Sequence, residues 1–162
     1  MPTTFHLRVW TRFLVPVEEA WAWRVGQLPA ELAPWRDRFS GTGGSVPEAE
    51  LPPEVTTKLG PLGPLWPVRV TAIEPGARWV DTSENALYER FSHEHLFEST
   101  PDGCRYVDAV TFTPRGRAQK AAALLTQRIF QQRHRAAARV LAADAQATAV
   151  SVLRVRVEDA WA

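Results

Sequence analysis

Residues 117–143 contain neither glycine nor proline and are rich in alanine, leucine and glutamine. Such a stretch predicts one long helix, because glycine and proline are the residues that interrupt helices. Apolar residues recur on it at spacings of three to four. They predict a buried stripe of Ala118, Ala121, Leu125, Ile129, Ala136 and Val140.

Four strand-like runs come before this helix, each bounded by turn residues. They are rich in the β-branched and aromatic residues typical of strands and cover residues 67–75, 77–83, 86–99 and 104–114. Runs joined by such short turns predict an antiparallel meander.

The N-terminal part predicts one strand followed by two short helices. Residues 3–15 alternate apolar and polar side chains with the period of a half-buried strand. A helix is predicted over residues 17–26, and a second over residues 28–35, where Pro34 breaks it. Residues 41–67 carry many glycines and prolines, so they predict an irregular segment that forms either a pocket mouth or a loose edge of the sheet.

Composition narrows the class of protein. The chain has 19 basic and 18 acidic residues and a formal charge of +1, which argues against nucleic acid as a partner. Charges or prolines interrupt every apolar run, so no membrane-spanning helix is predicted. The single cysteine and an N-terminus without a signal-peptide pattern favour a cytoplasmic location. Motifs for phosphate binding or redox chemistry are absent from the sequence, and no cofactor is predicted.

The 162 residues are expected to form one domain, with a core at residues 3–143 and a C-terminal extension at residues 144–162. The extension alternates in polarity, so it either adds a strand or packs on a partner chain, which would give a homodimer. An interaction protein that dimerises through this tail is therefore one of the alternatives.

A more specific pattern lies between residues 91 and 134. It reads FSHEHLF at 91–97, a DG turn at 102–103, YVDAV at 106–110, FTPRG at 112–116 and FQQRH at 130–134. With the order of elements above, it resembles a bacterial branch of the START-like (SRPBCC, Bet v 1-like) ligand-binding superfamily, often labelled polyketide cyclase or dehydrase. The resemblance implies an α+β helix-grip fold, in which a curved antiparallel sheet wraps around a long C-terminal helix and leaves a cavity for apolar ligands. It implies no particular reaction.

The chain departs from this pattern near the expected mouth of the cavity. Residues 86–88 read Ala-Leu-Tyr where such proteins often carry Gly-Pro-Phe, and Arg115 stands where an apolar residue is usual.

The hairpin of residues 86–114 carries the polar groups of interest. On its first strand, the parity with more apolar bulk contains Leu87, Glu89, Phe91, His93, His95 and Phe97. On its second strand, that parity contains Cys104, Tyr106, Asp108, Val110 and Phe112. Both sets are expected to face inward. A turn over residues 100–103 then places His95 directly across from Asp108.

A buried carboxylate bonded to an imidazole is satisfied, fixes the tautomer and raises the proton affinity of the histidine. His95 and Asp108 are therefore candidate catalytic residues, with His95 as general base in a cyclisation or dehydration. The same pair serves equally well as a tether for the polar end of an apolar ligand, or as buried polar structure. A zinc site of His93, His95 and Asp108 is a weaker alternative, because an HxH pair on a strand is permissive rather than specific, so no metal is predicted.

The function predicted from the sequence is binding of a hydrophobic or aromatic small molecule, lipid- or polyketide-like, in an internal cavity. The alternative is a cyclase- or dehydratase-type enzyme that uses the same cavity. The expected ligand-binding residues are Phe91, His93, Phe97, Tyr106, Phe112, Trp66 at the mouth, and Arg133 for an anionic head. Cys104 is expected to be a small buried hydrophobe rather than a nucleophile.

Overall fold

The computed structural model describes residues 3–42, 44–58, 65–117 and 119–141, and the backbone of residues 143–156. The strands are β1 (Thr3–Phe13), β2 (Val55–Lys58), β3 (Leu65–Glu74), β4 (Arg78–Ser83), β5 (Tyr88–Thr100), β6 (Gly103–Pro114) and β7 (Ala143–Arg156). The helices are α1 (Val17–Gly26), α2 (Arg36–Ser40) and α3 (Gln119–Val140). They form an α+β helix-grip fold, as the resemblance implies.

The strands make one sheet in the order β2-β3-β4-β5-β6-β1-β7, and the described pairings are all antiparallel. The predicted meander of four strands corresponds to β3 to β6. The hairpin has the predicted register, with Ser99 opposite Cys104 and His95 opposite Asp108.

The segment after α1 differs from the prediction of one broken helix. Residues Ala30–Trp35 form a 3-10 helix, and α2 begins directly after it at Arg36. Pro34 lacks the N–H that a continuous α-helix would need there, so α-helical hydrogen bonding starts only beyond it. In the segment predicted to be irregular, the structure has a 3-10 turn at Glu48–Glu50 and the short strand β2. Residues 59–64 of that segment lie outside the described residues.

The long helix is confirmed, but its predicted buried stripe is wrong. Leu125, Ile129 and Val140 are 54%, 42% and 67% exposed, and Ala121 and Ala136 are exposed as well, while Ala118 lies outside the described residues. The buried positions are Thr126, Phe130, His134, Ala137 and Leu141. The buried stripe is thus shifted by one position, so that Phe130 and His134 are buried while Leu125, Ile129 and Val140 stay exposed.

The C-terminal extension supplies β7, which pairs antiparallel with β1 from Thr3 opposite Arg156 to Phe13 opposite Ala143. Of the two alternatives for the extension, an added strand or packing on a partner chain, the structure has the added strand. Among the described residues, no helix is long and apolar enough to cross a membrane.

A β-bulge shifts the start of β5. Tyr88 pairs with Pro114 and Arg90 with Thr113, so one residue of β5 is left without an opposite residue. From Phe91 onward the predicted inward parity is correct, but at the start of the strand it is wrong. Tyr88 is buried, whereas Leu87 is 45% exposed and Glu89 is exposed.

Candidate functional site

A cavity of about 540 Å³ lies between α3 and the sheet. The accessible surface of its lining is mainly apolar, and charged and polar side chains from several elements are part of it. The lining residues are Arg24, Leu28, Pro29, Ala30, Glu31, Leu32, Thr57, Lys58, Trp66, Val68, Trp79, Asp81, Leu87, Tyr88, Phe91, His93, His95, Leu125, Thr126, Ile129, Phe130 and Arg133.

The exposed apolar side chains on this lining mark its mouth. Leu87 lies just before β5, and Leu125 and Ile129 lie one turn apart on α3, all three more than 40% exposed. The loop that carries Leu87 is held by Arg115, whose backbone N–H donates to the Leu87 carbonyl at 2.8 Å and whose Nε donates to the Asn85 carbonyl at 2.9 Å. Residues 86–88 and Arg115, at which the chain departs from the pattern of the resemblance, are therefore in contact at the mouth of the cavity.

Five of the residues singled out from the sequence line the cavity: Trp66, Phe91, His93, His95 and Arg133. The other four are buried but are not part of the lining: Phe97, Tyr106, Asp108 and Phe112. Phe97 and Tyr106 stack on each other at 4.7 Å between ring centroids, and Phe112 stacks on Phe5 at 5.5 Å. Asp108 is fully buried beneath the histidines.

Asp108 is the centre of a buried hydrogen-bond network. Its Oδ1 accepts from the Tyr106 hydroxyl at 2.5 Å and from His93 Nε2 at 2.9 Å. The same oxygen is 3.2 Å from His95 Nδ1, and Oδ2 is 3.3 Å from His134 Nε2. Three imidazoles thus surround one carboxylate, although the sequence predicted only one.

The network keeps Asp108 ionised. Burial by itself would raise the pKa of this carboxyl, but the charge of His93 and the hydrogen bonds from His134, His93 and His95 hold it well below its usual value. The same balance lowers the pKa of Asp81, where burial is opposed by His93 and His95. Both acids are carboxylates at neutral pH.

His95 lies between these two carboxylates. Its Nε2 is 3.2 Å from Asp81 Oδ2, and its Nδ1 is 3.2 Å from both Asp108 Oδ1 and the Tyr106 hydroxyl. The hydrogen bond to Asp108 raises the proton affinity of His95, as expected, but the net shift of its pKa is downward. Burial, followed by the charge of His93, lowers the pKa of His95 to about 4, and the hydrogen bonds that the two carboxylates accept do not compensate.

Sequence reasoning missed Arg24, a buried cation from α1. Its Nε donates to the Tyr106 hydroxyl at 3.3 Å, and its guanidinium lies 5.2 Å from the centroid of the Trp79 ring. Burial would lower the pKa of Arg24, but its interactions with Tyr106 and with the Asp108 carboxylate raise it above its ordinary value. A lone arginine in a helical segment carries no signal that it will be buried.

Asp81 and His134 were also missed as site residues. Asp81 shares the inward parity of β4 with Trp79, and it lies opposite His93 in the register of β4 and β5. Its parity was available from the sequence, but the register was not. His134 is fully buried, with its Nδ1 2.8 Å from the Thr11 hydroxyl.

Asp81, His93 and His95 each offer a ligand atom for a metal ion, and these atoms lie within 4.8 Å of one another. Asp108 is not part of this group, since it bonds the far side of the histidines.

Cys104 is buried and its pKa is raised to about 11, first by burial and then by Glu18 and Glu19, so it is no thiolate at neutral pH.

Comparison with known proteins adds a family match and a fold. Residues 65–141 match the model of a domain of unknown function, DUF8410. A search of curated proteins finds no match to the chain. Protein MLL2253 from Mesorhizobium loti is 15% identical, with a TM-score of 0.53, and the alignment covers 78% of this chain and 89% of that protein.

Ara h 8.0201 is 17% identical, with a TM-score of 0.51, over 82% of this chain and 95% of that one. The di-domain ARO/CYC StfQ from the steffimycin biosynthetic pathway matches at 16% identity and a TM-score of 0.48, over 71% of this chain and 39% of that one. At these identities, the likenesses to MLL2253 and Ara h 8.0201 show a shared fold, and nothing is inferred from StfQ.

Proposed function

We propose that this helix-grip chain of the START-like type binds a hydrophobic or aromatic small molecule in the cavity between α3 and the sheet. The cavity of about 540 Å³ carries the proposal. Its size falls within the range of about 300–1,000 Å³ that is usual for small-molecule sites, and an apolar lining with a few convergent polar groups is the usual chemistry of such sites.

The apolar part of the ligand packs between the sheet and α3. Trp66 and Phe91 contact each other edge to face at 5.1 Å, and Phe130 faces them from α3 as part of the same lining. Flat rings on several sides favour a flat, apolar guest, because aromatic pairs gain stabilisation beyond their buried area.

The polar end of the ligand lies against Arg133 and the histidines. Arg133 Nη1 is buried and has no hydrogen-bond partner among the described residues, and the nearest carboxylate oxygen, Asp108 Oδ2, is 3.9 Å away. A buried donor without an acceptor is costly, so an oxygen of the ligand that accepts from Arg133 would be stabilised.

Binding is favoured over the cyclase- or dehydratase-type alternative. That alternative requires His95 to take a proton from the substrate, and a general base works best when its pKa lies near the working pH. The pKa of His95 is lowered to about 4, mainly by burial, so it is a weak proton acceptor at neutral pH.

Two neighbouring leucines on α3 give a matched test. Leu125 lines the cavity mouth and is 54% exposed, while Leu124 is 57% exposed and is not part of the lining. A glutamate at either position should therefore cost similar stability. We expect Leu125→Glu to weaken binding of a neutral fluorescent dye such as Nile red by at least about tenfold, since a charge at the mouth must be desolvated when the guest enters.

Leu124→Glu should leave the dye affinity of the wild type unchanged. Equal affinities in the wild type and both variants would place the dye elsewhere on the surface. If the circular dichroism spectrum shows that the wild type is folded and it still binds no dye, the proposal is likewise contradicted.

A further inference from the structure

We propose that Asp81, His93 and His95 form a binding site for a divalent metal ion of the zinc class at the floor of the cavity. The sequence alone did not favour a metal, because an HxH pair on a strand is permissive rather than specific, and the third ligand that it offered was Asp108. The structure instead brings Asp81 from β4 to the inner side of the two histidines, with Oδ2 3.2 Å from His95 Nε2 and 3.7 Å from His93 Nδ1.

The first argument is a count of protons on His93. Its Nε2 is 2.9 Å from Asp108 Oδ1, so the proton of a neutral ring belongs on Nε2, where it is donated to the carboxylate. The Nδ1 lone pair is then left facing Asp81 Oδ2 at 3.7 Å. Two acceptors that face each other repel unless a second ring proton or a metal ion lies between them, and a metal ion can take the place of that proton.

His95 presents the same conflict. Asp108 Oδ1 lies 3.2 Å from its Nδ1, and Asp81 Oδ2 lies 3.2 Å from its Nε2. A neutral imidazole has one N–H and can donate to only one of two carboxylates. A metal ion on the inner side resolves the conflict, because Nδ1–H then donates to Asp108 while Nε2 and the Asp81 oxygen both bind the ion.

The spacing of the donor atoms also suits a metal. In a tetrahedral zinc site with bonds of about 2.0 to 2.1 Å, neighbouring ligand atoms lie about 3.3 Å apart. The two distances from Asp81 Oδ2 to the histidine nitrogens, 3.2 and 3.7 Å, bracket that value. All three ligand atoms lie within 4.8 Å of one another, so the site would close on an ion by shifts of the side chains.

Asp108 acts on this site as an orienting partner rather than a ligand. It accepts hydrogen bonds on the outer side of the histidines, the arrangement that fixes the tautomer of metal-binding imidazoles. Three protein ligands leave at least one coordination position open toward the cavity, where an oxygen of a bound molecule or a water would complete the shell.

Two carboxylates, Asp81 and Asp108, and two guanidinium groups, Arg24 and Arg133, surround the floor of the cavity. A divalent ion would add two positive charges, so the open position would favour an anionic oxygen such as hydroxide, an enolate or a carboxylate.

The test is metal binding by the whole chain, which needs no apolar ligand and so fails or succeeds independently of the proposed function. After removal of metals with a chelator, the wild type is titrated with Zn²⁺ by calorimetry and with Co²⁺ by visible absorption. We expect one ion per chain and ligand-field bands of Co²⁺ without the sulfur-to-metal band that binding by Cys104 would give.

Asp81→Asn removes an anionic ligand without changing the shape of the side chain. We expect its Kd for Zn²⁺ to rise at least about 100-fold, since loss of even an outer-shell partner costs about 10–100-fold. His6 is the one exposed histidine of the four in the sequence, and His6→Ala should bind Zn²⁺ as the wild type does.

His134→Gln is the second control. It disturbs the same buried network on the outer side of Asp108 but removes none of the three ligands, so its Kd should stay within about tenfold of the wild type. Loss of the ion in His6→Ala, unchanged affinity in Asp81→Asn, or no binding at all to the wild type would overturn the proposal. If Asp81→Asn does not fold, the Co²⁺ spectrum of the wild type still decides, because a surface site gives no tetrahedral bands.

Discussion

Replacement of Asp108 by asparagine should destabilise the protein by about 3 to 5 kcal/mol, the range found when one member of a buried charged network is removed. The amide oxygen can still accept from Tyr106 and His93, but these bonds lose the charge assistance that makes hydrogen bonds to ionised groups about 1 kcal/mol stronger. The amide NH₂ takes the place of Oδ2 and faces His134 Nε2 at 3.3 Å, donor against donor. An unpaired buried donor costs a further 1 to 3 kcal/mol, roughly.

Urea unfolding of the metal-free protein measures this cost, with an unchanged m-value as the sign that only stability has changed. Asp102→Asn is the matched control. It makes the same chemical change at a side chain that is 66% exposed and paired with Arg12 at 2.5 Å, so it should cost no more than about 1 kcal/mol. Equal costs for the two substitutions would refute the role of Asp108 as the centre of the network.

Three further outcomes are expected. Gly103→Ala should cost about 2 kcal/mol or more in urea unfolding, because φ is +151° and the added Cβ would lie 2.1 Å from a backbone oxygen of β1, whereas Gly44→Ala, with open space around it, should cost much less. Cys104 should resist iodoacetamide in the native protein at pH 8, and mass spectrometry should show alkylation only in urea, because burial raises the pKa of the thiol to about 11. Tyr88→Phe should lower the melting temperature by an amount equivalent to about 1 kcal/mol, since it leaves the buried Thr126 hydroxyl without its 2.7 Å partner, and a neutral effect would contradict that role.

Most of the strands and helices and the register of the hairpin could be predicted because they depend on local signals, whereas the helix-grip arrangement was implied by the resemblance. Alternating polarity fixes which face of a strand is buried, and a turn over residues 100–103 fixes which residues of β5 and β6 are opposite each other. That is why the placement of His95 opposite Asp108 was correct.

The partners of those two residues could not be predicted in the same way. Asp81 and Arg24 reach the site through the pairing of β4 with β5 and the docking of α1, both of which depend on tertiary packing. The burial of His134 was not predicted, because the buried face of α3 is shifted by one position from the predicted stripe. Helix periodicity cannot decide between neighbouring faces when small apolar residues occur on both.

The start of β5 shows the same limit on a smaller scale. One bulge between Tyr88 and Arg90 moves Tyr88 inward and Leu87 to the mouth of the cavity, against the alternation that holds for the rest of the strand. A bulge changes parity without leaving a signal in the alternating pattern.

Native mass spectrometry of the purified wild type, Leu125→Glu and Leu124→Glu tests the central claim most directly, because it detects whatever molecule the cavity retains. The account predicts the same apolar adduct, one per chain, on the wild type and Leu124→Glu, and its loss from Leu125→Glu. An adduct that all three proteins retain equally would contradict a ligand site beneath Leu125 on α3.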